Sequence, residues 1–201
     1  FQGLEILQAI VPIADALTGT LNSSFDIKGT LNSDFTPNLL SISGNALAEA
    51  LINGVDPETG KLLSALSQKI DFLNATEEQP RDVKAALSFD NGKVNVKPFS
   101  FKVKDIDVNV AGSHGFDKSM AYNISFDVPA KYLGEDVSKL LAQLNDPEAE
   151  NLGVPVTATI GGSYTNPTIA TDLGSMVSEF SKKLVEQQKQ KLLGKGSDKI
   201  K

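Results

Sequence analysis

Residues 82–129, DVKAALSFDNGKVNVKPFSFKVKDIDVNVAGSHGFDKSMAYNISFDVP, decide how this chain folds. Val83, Ala85, Leu87 and Phe89 alternate with polar neighbours. Asn91-Gly92 follows, a hairpin signal, because a type I′ turn needs positive φ at both central residues. Val94 and Val96 resume the alternation, Phe99, Phe101 and Val103 continue it after Pro98, and Ile106, Val108 and Val110 carry it to Gly112. A polar turn over 113–119 precedes Met120, Tyr122, Ile124, Phe126 and Val128. The stretch reads as three consecutive strands with period-two patterning. One face is apolar, the other is covered by Lys, Asp, Asn and Ser, and such a face must be buried against something.

Working outward, residues 21–31 also alternate, with Leu21, Phe25, Ile27 and Leu31 on one side. Residues 40–52 repeat the pattern with small side chains, Gly44, Ala46, Ala48 and Ala50, which suits a helix packing closely or a bend. Val154, Val156, Ala158, Ile160, Gly162 and Tyr164 predict another strand, with a turn at Asn166-Pro167 and a short extension from Ile169. Helical spacing predicts helices over 4–17, over 57–72 behind an Asp56-Pro57 start, over 135–144, and over 172–193. Thr18-Gly19-Thr20 is expected to stop the first, and Gly194 the last. The fold class is α+β: a mainly antiparallel, curved sheet of about six to eight strands, with amphipathic helices packed on or capping one face. One domain is expected over residues 1–185, its sheet spanning 20–170, with residues 194–201 a disordered basic tail.

The net charge of −6 argues against a nucleic-acid partner. Residues 179–201 hold seven Lys against three acids. That tail is read as a solvated helix end rather than a membrane-surface segment. No Cys is present, so disulfides and thiolate chemistry are excluded. No run reaches the ~20 apolar residues of a membrane span. A chain opening on Phe1 reads as a piece of a longer protein.

The search for chemistry returns nothing. His114, the only His, is expected in an exposed turn beside Ser113 and Asp117, with no fixed geometry for general-base work. Asp105 and Asp107 are expected to share a wet strand face, which alternation explains without a cation. Gly161-Gly162 lacks the Lys and helix start of a phosphate loop and reads as a strand bend. The glycosylation-type triplets at Asn22, Asn74 and Asn123 arise often by chance. No catalytic, cofactor or metal residue is expected.

Particular phrases, in order, resemble the C-terminal region of AsmA-like proteins in a Bacteroidetes-type version. They are Phe35-Thr36-Pro37-Asn38-Leu39 before Ile42-Ser43-Gly44-Asn45, Leu87-Ser88-Phe89-Asp90-Asn91-Gly92 leading to Lys97-Pro98-Phe99, Gly112-Ser113-His114-Gly115-Phe116-Asp117, Met120-Ala121-Tyr122-Asn123-Ile124 before Val128-Pro129, and Thr159-Ile160-Gly161-Gly162-Ser163-Tyr164-Thr165-Asn166-Pro167. The match runs from about residue 20 to 185. Each phrase alone is turn chemistry plus alternation; the order makes it specific. The resemblance implies a non-enzymatic, periplasmic part of a protein anchored in the inner membrane. It implies a role in outer-membrane biogenesis and phospholipid movement, a kinship with TamB and bridge-like lipid carriers, and phospholipid acyl chains, upstream repeats and envelope proteins as partners. The runner-up is a scaffold module in envelope assembly with a closed core. Phe25, Ile27, Leu87, Phe89, Phe99, Phe101, Val108, Tyr122, Phe126 and Ile160 are expected to line an open groove or fill a closed core.

Overall fold

Eight strands follow one another in chain order across one antiparallel sheet, which is curved and does not close. The computed structural model describes residues 17–55, 61–73, 82–144, 146 and 148–197. The strands are β1 (Leu17–Lys28), β2 (Ser43–Val55), β3 (Val83–Asp90), β4 (Lys93–Val103), β5 (Ile106–Gly115), β6 (Met120–Pro129), β7 (Gly153–Ser163) and β8 (Asn166–Thr171). Among the described residues three α-helices lie at one end: α1 (Lys61–Lys69) between β2 and β3, α2 (Glu135–Leu144) between β6 and β7, and α3 (Leu173–Ser197) after β8. In a meander of this order, connections alternate between ends. The β1–β2, β3–β4, β5–β6 and β7–β8 turns therefore lie together at the opposite end. The α+β class with a curved antiparallel sheet and helices is what the patterning predicts.

The stretch 82–129 holds four strands rather than three. Residues 93–112 are not one run: Lys104-Asp105 forms a two-residue hairpin, with Val103 directly opposite Ile106. The turn has no Gly; Lys104 itself takes φ 55°. Asn91 and Gly92 both have positive φ, as a type I′ turn requires. Near Pro98, Val96 pairs with Gly112 and Phe99 with Val110, so β4 carries one extra residue. This bulge resets the alternation and keeps Val94, Val96, Phe99, Phe101 and Val103 on one face.

Register then assembles one apolar face across all eight strands. Phe25, Ala46, Leu87 and Val96 stand in one row. Phe101, Val108, Phe126 and Val156 stand in another. The helices cover the second row. Val137, Leu141 and Leu144 of α2, Leu184 of α3, and Leu66, Ile70 and Phe72 at α1 are buried against Val108, Phe126, Val128, Val156 and Ile160. The ring of Phe72 meets that of Phe126 edge-on, with centroids 5.2 Å apart at 77°. Although α1 follows β2 in sequence, it packs on β8 at the far edge of the sheet. Asp172 secures the start of α3: its carboxylate accepts from the Thr157 backbone N–H at 2.7 Å and the Thr157 hydroxyl at 2.6 Å.

Several local expectations are corrected. Leu17 and Thr18-Gly19-Thr20 belong to β1 and are not a helix end and stop. The helix over 4–17 and the Asp56-Pro57 start otherwise lie outside the described residues. Helix α3 runs through Gly194 and Gly196 to Ser197, because glycine lowers helix stability without forbidding the conformation. Residues 194–197, expected in a disordered tail, are therefore helical.

Candidate functional site

The apolar face divides into a filled part and an open part. The filled part spans β5–β8 and the end of β4, under the helices. The open part is β1–β3. There a row of small residues, Gly44, Ala46, Ala48 and Ala50 on β2, is flanked mostly by larger ones. Ile27, Phe25, Ser23 and Leu21 of β1 face that row on one side, and Phe89, Leu87, Ala85 and Val83 of β3 on the other. The result is an apolar trough about 20 Å long, at ~3.4 Å per strand residue from Gly44 to Ala50. Its β3 wall is packed: Leu87 and Phe89 are buried with Ala46 and Val94. Its β1 wall is not. Leu21, Phe25 and Ile27 are 41%, 45% and 45% exposed. Gly44 at the trough floor has φ 136° and lies against the backbone of Asp26 and Ile27, so a side chain there would clash with β1.

The ten predicted apolar positions all fall on this face. Val108, Phe126 and Ile160 are buried beneath the helices, and Phe101 and Tyr122 pack beside them. Phe99 is half-buried and stacks on Phe101. Leu87 and Phe89 line the trough from its packed wall, while Phe25 and Ile27 are open to solvent. The small residues of β2 were visible in the sequence as a pattern suited to close helix packing. Among the described residues no helix lies over them as one does over β5–β8: α1 packs on β8 instead. Phe72 was missed, because it falls in a short 3₁₀ turn beyond the regular stripe of α1.

His114 is not in an exposed turn. β5 extends to Gly115, the turn is pushed on to 116–119, and the imidazole is 2% exposed on the apolar face. Its cross-strand neighbours are Val94 and Met120, one from each apolar cluster. Its Nδ1 lies 2.6 Å from the Tyr122 hydroxyl. Burial pushes that phenol well above the usual tyrosine range, so it stays protonated and is able to donate. Ser113 alternates to the opposite face, beside Ala121. The Asp117 carboxylate is taken up by Ser119, whose hydroxyl donates at 2.6 Å. Ser113, His114 and Asp117 are thus not brought together.

Asp105 and Asp107 do not share a face as a pair. Asp105 sits in the hairpin turn and meets Lys131 Nζ at 2.5 Å, while Asp107 on β5 meets Lys102 Nζ at 2.7 Å. Partial burial pushes the Asp105 carboxyl up, but bonds from Lys131 and Tyr132 outweigh it and hold the group below the usual carboxylate range. Among the described residues no cluster of His, Asp and Glu fits a metal ion. A depression of about 380 Å³ lies on the reverse face, lined by Asn109, Ala111, Asn123, Ser125, Thr157 and Thr159. It is broad and holds no titratable group, so the trough is the better candidate. Among the described residues no helix is long and apolar enough to cross a membrane. Comparison with protein-family models, curated proteins and solved structures finds no match.

Proposed function

We propose that this chain is a non-enzymatic, terminal unit of a lipid-handling sheet. The β1–β3 trough takes a phospholipid acyl chain, and the helices plug the remainder of the face. The observation that carries this is the β1 wall: three large apolar side chains left nearly half exposed along a row of Gly and Ala. Acyl binding needs only a continuous apolar path, in which each buried CH₂ contributes about 0.8 kcal/mol. The trough's length exceeds the ~15 Å hydrocarbon depth of one bilayer leaflet. The reading also accords with the AsmA-like phrases, and thus with the periplasmic side of an inner-membrane-anchored protein working in outer-membrane biogenesis.

The two edges favour continuation on one side only. β1 is twelve residues long, contains no Pro and presents an unpaired edge among the described residues. β8 is six residues long and carries Pro167, with α1 packed on it. Long edges free of Pro accept further strands more readily than short or Pro-bearing ones. An upstream repeat of the same parent protein would extend the trough beyond β1.

The second reading, a closed scaffold module in envelope assembly without lipid cargo, draws on the filled part. Native mass spectrometry of the purified chain with lipid extraction separates the two. Co-purifying phospholipid is expected. Ala48→Phe, which fills the trough, should weaken binding of a fluorescent fatty-acid probe about tenfold or more, a loss of ~1.4 kcal/mol, with no loss of thermal stability. Absence of both lipid and probe binding would sink lipid carriage and leave the scaffold.

A further inference from the structure

The end of the sheet opposite the helices carries a second apolar feature. The β1–β2 connection, residues 29–42, holds Leu31, Phe35 and Leu40, which are 62%, 82% and 69% exposed. Phe35 takes φ 62°, a left-handed conformation that is uncommon for a bulky residue and marks a site worth explaining. The loop is not slack. Asn32 N–H donates to Thr36 C=O at 2.8 Å, and Phe35 N–H to Asn32 C=O at 3.0 Å. Thr36 Oγ1 donates to Asp34 at 2.6 Å, and Asn38 N–H to Thr30 C=O at 2.9 Å. Its polar groups are therefore bonded internally while its large apolar side chains point outward, the combination that lowers the cost of leaving water. Between residues 29 and 42 the only charge is Asp34. Phe116 in the β5–β6 turn and Tyr164 in the β7–β8 turn are half-buried and pack inward on the sheet, while Leu40 lies over Gly92 in the β3–β4 turn.

We propose that this hairpin end is a membrane-contacting rim, with Phe35, Leu31 and Leu40 seated at the interfacial level of a lipid bilayer. The occupant is a bilayer because the trough opens beside the loop: Ile27 and Gly44 mark its last residues before residues 29–42 begin. A near-neutral apolar rim with an aromatic residue suits the interface between headgroups and acyl chains. The inference rests on the trough reading, since it names the surface from which an acyl chain would enter.

The chain has no Trp, so one introduced residue reports alone. Phe35→Trp in the full chain should show a blue-shifted emission with phosphatidylcholine vesicles, and quenching by brominated acyl chains. Both should persist at high salt, because the loop has little charge. Leu192→Trp, on the lysine-rich end of α3 and 71% exposed in the native chain, should show neither. A blue shift at Leu192→Trp alone, a response confined to anionic vesicles, or no response at Phe35→Trp overturns the rim. A blue shift of Phe35→Trp that grows with protein concentration without vesicles also overturns it, in favour of a protein partner. If the rim fails while the fatty-acid probe still binds, the trough reading survives.

Discussion

The two parts of the apolar face are built from the same alternation and end in different states. Over β5–β8 the large side chains join one core with the helices: Phe126 meets Phe72, and Val156 is fully buried in it. Over β1–β3 the same period-two pattern stops at a half-exposed wall. The difference lies in the connections. α1 follows β2 but packs on β8, so among the described residues the helix nearest in sequence to the trough covers the other end of the sheet. Alternation says which face is oily; it does not say which element covers it.

Four substitutions test this contrast. The largest effect is expected at Phe126. Phe126→Ala should cost about 3–5 kcal/mol, because it opens a cavity against Phe72 in the filled part. Phe25→Ala, on the open wall, should cost less than about 1 kcal/mol, since little packing is lost there. Urea unfolding of both variants measures the gap. Equal losses would mean that the β1 wall is covered and the contrast is false.

The next effect lies at the boundary. Tyr122→Phe removes the hydroxyl facing His114 Nδ1 and leaves a buried ring nitrogen short of that partner. A loss of about 1–3 kcal/mol is expected from unfolding curves. A neutral result would show that the pair does not help join the two clusters.

The smallest effect belongs to the Asp105 turn. Its folded-state carboxyl titrates below the ordinary value, so its stabilising share is present above about pH 4 and is lost as pH falls through the lowered folded value. Both partners are partly exposed, at 34% for Lys131 and 44% for Asp105, so screening limits the share to less than about 1 kcal/mol. Asp105→Asn should flatten the acid limb of a stability-versus-pH curve by that amount. An unchanged limb would remove the ion pair from the account of how the filled end is held.

Much of this was legible beforehand. The Asn91-Gly92 turn, the 135–144 helix and the apolar rows at Phe101, Val108 and Phe126 follow from local chemistry, because a turn residue or a period acts over a few neighbours. The Lys104-Asp105 hairpin was not legible as a turn: no Gly or Asn marks it, and its one trace is the change of phase between Val103 and Ile106. The burial of His114 was hidden for a related reason. Its Ser-His-Gly setting reads as a loop, and only pairing with β4 and β6 draws those residues into β5.

By itself the sequence determined an antiparallel sheet with one apolar face, because side-chain alternation and turn preferences are short-range properties of the chain. Tertiary structure alone decided that the Pro98 bulge keeps both parts of β4 in phase, that α1 crosses to β8, and that among the described residues no helix covers the small residues of β2. Those outcomes depend on register and on which distant surface a helix finds. Hydrophobic burial is non-directional, so an oily strand face does not specify its partner.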